Sequence, residues 1–197
     1  MKRGPYASVV GSLMYAMICT QPNLCYDVGI VSRYQSNPGP EHWTVVKHIL
    51  KYLCRTRGYI LVYIASELRP VGYADSKFQA NRDSHKSTSG SVFTLGCGAI
   101  IWRSIKQYCI ADSTMKAEYV AACEATKKTV WQKKFLLSLE LVPSAYTVIT
   151  LYCDNSGVVA NVKEPRNINM ENTLNGSISS ERYRSTRRCD SVQDNIY

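Results

Sequence analysis

The apolar positions of the first 57 residues recur with a helical period. Tyr6–Thr20 carries a broad apolar face, and Pro22–Gln35 is predicted to form a second helix before a Ser-Asn-Pro-Gly break. Pro40 and Glu41 then predict a third helix start, because proline suits the first turn and a carboxylate favours the positive end of the helix dipole. The third helix is predicted to bury Trp43, Val46, Ile49, Leu50 and Leu53.

From Gly58 the pattern changes to short segments that are rich in β-forming residues and separated by Gly, Asn, Asp and Ser. A long helix is predicted over Ser113–Leu139 and a short one over Asn155–Val162. A run of strands followed by the long helix, one further strand and the short helix predicts an α/β fold, a mixed sheet with flanking helices, preceded by a small helical segment. The predicted strands are Tyr59–Ile64, Val71–Asp75, Ser91–Leu95, Ala99–Arg103 and Thr147–Cys153, with Gln107–Ala111 as an extension of the sheet.

These changes of pattern set the predicted domain limits. Residues 1–57 form the helical segment and residues 58–165 the α/β domain. Residues 166–197 lack a sustained apolar period and are dense in Asn, Ser and Arg, which predicts a disordered tail.

The composition is typical of a globular protein, with 45% hydrophobic and 20% charged residues among 197. No apolar run reaches the roughly 18 residues needed to span a membrane, and no secretory signal begins the chain, so we expect an intracellular protein without a membrane partner. The net charge is +9, and the residues after Lys163 are neutral. A basic body with a neutral tail suggests a polyanionic partner.

Eight cysteines occur without any C-x-x-C pair, and the chain has only three histidines. Structural zinc sites need closely spaced ligand pairs, so this pattern argues against one. Most of the cysteines are predicted to be small buried hydrophobes in a reducing compartment. The three tryptophans, Trp43, Trp102 and Trp131, are predicted to be core residues.

Basic residues line one face of the third predicted helix. Lys47, Lys51 and Arg55 are spaced by four, and Arg57 follows just beyond. Such a stripe suits the phosphate backbone of a nucleic acid, although a solvated helix face has the same pattern. The long helix carries a second cluster, for which both interpretations stay equally open: Lys127, Lys128, Lys133 and Lys134.

Three carboxylates stand at the ends of predicted strands or early in the long helix. Asp75 and Asp154 each close a strand, and Glu118 lies in the second helical turn. Such acids can converge on Mg²⁺, and two ions about 3.5–4 Å apart can support phosphodiester hydrolysis. Spacing alone favours the simpler interpretation, in which each is an ordinary capping or loop acid.

Four ordered motifs change this balance: Gly72-Tyr73-Ala74-Asp75, Lys86-Ser87-Thr88-Ser89-Gly90, Ser113-Thr114…Ala117-Glu118-Tyr119 and Tyr152-Cys153-Asp154-Asn155. They resemble the ribonuclease H domain of Copia-type retrotransposon Pol polyproteins. Short sequence motifs of the helical segment, such as Tyr6-Ala7-Ser8 and His42-Trp43, resemble the connection that joins that domain to the reverse transcriptase. The resemblance covers roughly residues 5–167.

The resemblance implies a ribonuclease H-like fold that cuts RNA in an RNA–DNA hybrid with two Mg²⁺, for which Mn²⁺ can substitute. Asp75, Glu118 and Asp154 then fall on three of the family's four catalytic carboxylates. Contacts to 2′-hydroxyls would distinguish the two strands. The polymerase acids would lie upstream of Met1, and an intact Pol protein is an expected partner.

Two substitutions depart from the family's pattern near these acids. Lys77 replaces an acid two residues after Asp75, so its ammonium would compete with metal for that carboxylate unless it turns outward to solvent. Lys116 replaces a glutamate, which removes half of a capping box and places a cation near the positive end of the long helix.

The third departure lies after residue 165. The family continues with a Lys-His-Ile-Asp/Glu segment and a helix that carries the fourth acid, whereas this chain reads Asn172-Thr173-Leu174-Asn175-Gly176 and then Ile178-Ser179-Ser180-Glu181. Codons for Lys-His-Ile-Glu-Arg (AAA CAC ATT GAA CGG), read one base late, encode Asn-Thr-Leu-Asn-Gly. We therefore hypothesise a frameshift between Pro165 and Glu171, which fails if the other genomic frame encodes no His-Ile-Asp/Glu segment there.

Three functions follow from the sequence. The first is a ribonuclease H-like domain, impaired or inactive because the fourth acid is missing. The second is a non-catalytic nucleic-acid-binding protein that keeps the basic faces. The third is a transposon remnant without function.

Overall fold

The computed structural model describes residues 5–63, 68–81, 84–139 and 149–158, together with the backbone of residues 178–179. The chain divides between Val62 and Tyr63 into two compact units, a helical one and an α/β one. The domain limit at residue 57 stays a prediction, and the limit at residue 165 lies outside the described residues.

The helical unit contains three α-helices: α1 (Tyr6–Cys19), α2 (Cys25–Val31) and α3 (Pro40–Arg55). The single helix predicted over Pro22–Gln35 is instead α2 flanked by short 3-10 helices. The Ser32 hydroxyl donates a hydrogen bond to the backbone oxygen of Gly29 at 2.9 Å, a local bond of the kind that competes with regular helix.

The core of this unit forms where the three helices converge. The Tyr6 hydroxyl donates to the backbone oxygen of Val31 at 2.9 Å, and its ring meets Trp43 edge-on with centroids 5.3 Å apart. Helix α3 buries Val46 and Ile49 as predicted, but the prediction for Leu50 is wrong, since 40% of that residue is exposed. The apolar stripe is narrow, and Leu50 lies at its edge. The buried core residues are Tyr6, Val10, Leu13, Leu24, Val28, Val31, Val46 and Ile49.

The α/β unit is a mixed sheet with one long helix packed on it, so the predicted fold class is confirmed. The strand order is β3-β2-β1-β4-β5, with β2 antiparallel to both β1 and β3, and β4 parallel to both β1 and β5. The elements are β1 (Val71–Asn81), β2 (Lys86–Leu95), β3 (Gly98–Lys106), α4 (Thr114–Leu139), β4 (Thr150–Cys153) and β5 (Ile178–Ser179).

Strands β1 and β2 are longer than predicted because buried polar side chains find partners. Ser87 and Ser89 are buried within the polar run that begins β2. The Gln79 backbone N–H donates to the Ser87 hydroxyl at 3.1 Å, and the Gln107 amide donates to the Ser89 hydroxyl at 2.9 Å. These bonds compensate the burial of hydroxyl groups that the sequence pattern alone assigns to a loop.

Two predicted strands are wrong within the described residues. Residues 59–63 form no strand, and Ile60 is 73% exposed. Gln107–Ala111 does not extend the sheet either. The Gln107 backbone N–H donates to the Ser87 oxygen at 2.8 Å, and the chain then bends toward α4.

Some predicted features lie outside the described residues: Ile64, residues 147–148, and residues 159–162 of the predicted short helix, of which residues 156–158 are helical. Within the tail, the backbone of Ile178–Ser179 pairs with Leu151 and Tyr152 of β4, although the sequence predicts disorder there. The other tail residues are not described, so the disordered tail and the frameshift stay predictions.

The prediction that most cysteines are buried is wrong. Among the described cysteines Cys153 is buried, whereas four are exposed because they lie at helix ends or in turns: Cys19, Cys54, Cys97 and Cys109. Trp131 is also not a core residue, since it is 52% exposed and stacks on Phe135 on the outer face of α4. No helix of the described segments combines the length and apolar character that crossing a membrane requires.

Candidate metal centre

Asp75 and Asp154 occupy equivalent positions on two neighbouring parallel strands. Ala74 of β1 pairs with Cys153 of β4, and each aspartate is the next residue along its strand. Asp154 directly follows β4, whereas Asp75 lies within β1, which continues to Asn81, and residues that follow paired positions of two parallel strands remain neighbours. Strand pairing therefore places both side chains at one edge, and both are exposed there.

Glu118 reaches the same edge from helix α4. Its side chain is only 8% exposed, and one carboxylate oxygen, Oε1, accepts hydrogen bonds from the Ser76 backbone N–H at 3.1 Å and from the Ser76 hydroxyl at 2.8 Å. The other oxygen, Oε2, is buried and has no hydrogen-bond partner among the described residues. A buried carboxylate oxygen in that state is costly unless a ligand satisfies it.

The first turns of α4 are held by contacts at both sides of the helix start. The Ser113 hydroxyl accepts a hydrogen bond from the Lys116 backbone N–H at 3.2 Å, as an N-cap residue does. The Gln107 amide donates to the backbone oxygen of Ala117 at 2.9 Å while also binding Ser89 of β2. These contacts fix the turn that carries Glu118 against the sheet.

Three potential ligand atoms lie close together at this edge. One atom each from Glu118, Cys153 and Asp154 lies within 4.8 Å of the other two, and we call these three residues the acid–thiol cluster. Asp75 lies outside this group, yet near enough for its charge to raise the pKa of Glu118. Of the three predicted acids, the structure thus brings Glu118 and Asp154 into one cluster and leaves Asp75 beside it.

The acidic groups at the centre have raised pKa values. Burial raises the pKa of Glu118, the charges of Asp75 and Asp154 add to this rise, and the Ser76 hydrogen bonds oppose it. Burial also raises the pKa of Asp75, with a further rise from Asp154. The thiol of Cys153 has a raised pKa because of its burial and the three neighbouring carboxylates. Repulsion among unneutralised carboxylates raises their pKa values in this way.

The donor set fits a divalent cation. Carboxylate oxygens are the ligands that Mg²⁺ takes, and a cation would both satisfy Glu118 Oε2 and relieve the mutual repulsion of the acids. Asp154 and Asp75 are exposed, so their carboxylates are accessible from solvent. Glu118, Asp154 and Asp75 are the residues that could hold such an ion.

The two family departures near the centre have different surroundings. Lys77 lies two residues after Asp75 on β1, and its side chain is exposed, while the pKa of Asp75 is raised. Lys116 keeps half of the capping box through Ser113 and pairs with Asp112 at 2.6 Å. That hydrogen bond to Asp112 raises the pKa of Lys116, and the acid partly compensates the cation at the start of α4.

The predicted basic face lies on the helical unit. Lys47, Lys51 and Arg55 are exposed along α3, and Arg57 is exposed just after it. On α4, Lys127 and Lys134 are exposed, whereas Lys128 and Lys133 are half-buried. Their role in binding nucleic acid is not tested by these positions.

Sequence reasoning missed Ser76 and Cys153. Ser76 holds Glu118 across 42 residues of chain, so only the folded contact reveals it. Cys153 stands next to Asp154 in a buried strand, and its adjacency to a predicted metal-ligating acid was the one available signal.

Comparison with known proteins yields no matching family model. The chain is 46% identical over 159 residues to the retrovirus-related Pol polyprotein of transposon TNT 1-94 from Nicotiana tabacum, an alignment that covers 81% of this chain and 12% of the polyprotein. Pol polyproteins from two Arabidopsis thaliana transposons, RE1 and RE2, match as well. The chain belongs to the Copia-type retrotransposon Pol family.

Two further matches are to proteins that are not named as Pol polyproteins. The secreted RxLR effector protein 161 of Plasmopara viticola is 42% identical over 132 residues, which cover 66% of this Copia-type chain and 93% of the effector. Among solved structures, LC11-RNase H1 isolated from compost matches with 18% identity and a TM-score of 0.40, covering 64% of this chain and 92% of that one. This Copia-type chain spans about an eighth of the tobacco polyprotein.

Proposed function

We propose that the α/β unit of this Copia-type chain is a metal-dependent ribonuclease H-like domain that hydrolyses RNA in RNA–DNA hybrids. The observation that supports this most directly is Glu118, a carboxylate that is more than nine-tenths buried and keeps one oxygen unpartnered beside Asp154. An ordinary structural acid would pair that oxygen with a donor. The similarity to Pol polyproteins supports a nucleic-acid substrate.

Each acid has a distinct part in this proposal. Ser76 orients Glu118 through Oε1, which leaves Oε2 directed to the ligand. Asp154, directly after β4, and Asp75, beside it within β1, supply exposed carboxylates that a phosphate backbone can approach. When bound, Mg²⁺ or Mn²⁺ lowers the pKa of a water molecule and stabilises the charge that develops on the phosphate. Contacts to the 2′-hydroxyl would select the RNA strand.

We propose that this hydrolysis is impaired relative to the intact family. The resemblance implies four catalytic acids, and the sequence of residues 171–181 carries neither the expected histidine nor the family's segment that leads to the fourth acid. Three acids can hold metal, but fewer ligands reduce its charge neutralisation and positioning.

The second candidate function is nucleic-acid binding without catalysis. It is supported by the exposed row of Lys47, Lys51 and Arg55 on α3, which suits a phosphate backbone whether or not the metal centre works.

A cleavage assay on a labelled RNA–DNA hybrid tests the first proposal. We expect Mg²⁺- or Mn²⁺-dependent cutting of the RNA strand, reduced at least about tenfold by Asp154→Asn, because loss of a metal contact costs at least as much as loss of a neighbour that orients a ligand. Asp112→Asn is the matched control, since Asp112 is also exposed but pairs with Lys116 outside the centre.

The outcomes separate the candidates. Metal-dependent cleavage that survives Asp154→Asn contradicts the assigned centre. A folded protein that shifts the hybrid in a salt-sensitive manner without cutting it contradicts the catalytic proposal and supports the binding one. A chain that is insoluble or molten contradicts both and supports a remnant without function.

A further inference from the structure

The acid–thiol cluster contains a sulfur atom that a magnesium site does not use. Cys153 ends β4, is only 3% exposed, and offers its Sγ within 4.8 Å of ligand oxygens from Glu118 and Asp154. The thiol therefore lies inside the group of donors rather than beside it. Glu118 also keeps one carboxylate oxygen, Oε2, buried without a hydrogen-bond partner among the described residues.

The mixture of donors selects a different class of cation. Hard Mg²⁺ takes oxygen ligands, whereas thiolate sulfur favours Zn²⁺, and one sulfur with two carboxylates matches what zinc accepts in proteins. We propose that Glu118, Cys153 and Asp154 form a Zn²⁺ site that overlaps the magnesium centre. Bound Zn²⁺ would occupy the carboxylates that Mg²⁺ needs and so inhibit the domain.

The geometry allows three protein ligands to meet one ion. Zinc bonds of about 2.0–2.3 Å place tetrahedral ligand atoms roughly 3.5 Å apart, so the cluster must contract slightly. Asp154 is exposed and can turn, while Ser76 already holds Glu118 in place. A water molecule fills the fourth position, and the Cys153 thiol releases its proton to solvent as the Zn–S bond forms.

The inhibition rests on the proposed ribonuclease function, but the binding of zinc does not. A thiolate ligand favours Zn²⁺ over Mg²⁺, because Zn²⁺ binds sulfur while Mg²⁺ takes oxygen ligands and gains nothing from the sulfur. Micromolar zinc should therefore displace a large excess of magnesium. Binding and inhibition can be measured separately.

Co²⁺ is the probe for binding, because a cobalt–thiolate bond produces charge-transfer absorption in the near ultraviolet that oxygen ligands do not. With the full chain we expect this absorption on adding Co²⁺, its loss on adding one equivalent of Zn²⁺, and its absence in Cys153→Ser. The control is Cys109→Ser, since Cys109 is an exposed cysteine of the same unit that lies outside the cluster. The control should keep the absorption.

A second variant keeps the test decisive if Cys153→Ser misfolds. Cys153 packs with Ala122 and Val158, so its replacement can disturb the core. Asp154→Asn alters an exposed side chain and keeps the thiol. It should retain the cobalt–thiolate absorption but need at least about tenfold more Co²⁺, because one ligand is weakened.

Each outcome bears on one claim. Absence of the absorption, or its persistence in folded Cys153→Ser, overturns the zinc site. Unchanged Co²⁺ affinity in Asp154→Asn overturns the three-residue assignment. Absorption without any Mg²⁺-dependent cleavage supports the zinc site and contradicts only the ribonuclease function. Cleavage that continues with Zn²⁺ bound overturns the inhibition.

Discussion

At the scale of single residues, the two oxygens of Glu118 have opposite surroundings. Oε1 accepts two hydrogen bonds from Ser76, and Oε2 is buried without a partner among the described residues. The Ser76 hydrogen bonds thereby orient the carboxylate through Oε1, and Oε2 stays available to bind a cation. Burial raises its pKa above the ordinary value of 4.5, so ionised Glu118 destabilises the metal-free fold.

The contribution of Ser76 can be measured through Ser76→Ala. The Ser76 hydroxyl lowers the pKa of Glu118, so its removal should raise that pKa further, as read by NMR titration of the Glu118 carboxyl carbon. The free energy of unfolding at neutral pH should fall by about 1.5–3 kcal/mol, the range for hydrogen bonds to charged groups.

The sign of the pH dependence follows from the raised pKa. The free energy of unfolding is not reduced by Glu118 below pH 4.5, where the carboxyl is protonated. This advantage is lost as the pH rises through the folded-state pKa of Glu118, because the buried carboxylate then becomes charged. The cost of Ser76→Ala should therefore shrink in acid, where the carboxyl is neutral in both states. Ser138→Ala, an exposed serine of α4, is the control, and an unchanged Glu118 pKa in Ser76→Ala would refute the orienting role.

At the scale of elements, helix α4 positions the buried acid, and the Ser113 hydroxyl caps the start of this helix. Ser113→Ala removes the hydroxyl that accepts the Lys116 backbone N–H, so we expect a loss of about 1 kcal/mol in the free energy of unfolding measured in urea. Asp112→Asn is the comparison at the same helix end. It removes an exposed ion pair, and its smaller effect should fade with added salt. Equal losses in the two variants would count against the cap.

The elements also show how far the sequence predicts this molecule. The apolar pattern predicts α1 and α4 to within one residue at each end and the start of α3, and β-forming runs locate the first half of β1, the last half of β2 and most of β3. The polar beginning of β2 escapes prediction because its burial depends on hydrogen bonds from Gln79 and Gln107. Residues 59–63 have the composition of a strand but form none, because a strand needs a partner and composition does not report which segments pair.

The candidate centre is likewise only partly predictable from the sequence. Asp154 follows a strand as predicted, whereas the prediction that Asp75 closes a strand is wrong, since β1 continues to Asn81. The parallel pairing of Ala74 with Cys153 nevertheless makes the two aspartates neighbours. The hydrogen bond from Ser76 to Glu118 and the inclusion of Cys153 in the cluster depend on tertiary contacts that no local pattern encodes.

At the scale of the whole molecule, the net charge of +9 is carried by surfaces on both units. The α3 face presents Lys47, Lys51 and Arg55 in one row, and α4 presents a second set on its outer side. Lys128 of α4 lies 5.5 Å from the ring centroid of exposed Trp131, so part of that set is engaged within the protein. The α3 row is therefore the better candidate for phosphate contacts.

Salt dependence distinguishes a phosphate-binding face from a merely solvated one. Each phosphate contact contributes about 0.9 to the slope of log affinity against log salt, so replacing Lys47, Lys51 and Arg55 by Gln should reduce that slope by about 2–3. The measurement is hybrid binding by fluorescence anisotropy across a salt series, with chelator present so that no metal-dependent cutting occurs.

The matched control replaces three lysines of α4 by Gln and lowers the net charge by the same amount: Lys127, Lys133 and Lys134. If the α3 face binds phosphates directly, the control should weaken binding only slightly and keep the slope, because a general field is screened beyond about 10 Å at 0.1 M salt. Equal changes in both triple variants would mean that the net charge alone attracts the hybrid, and α3 would then have no specific role.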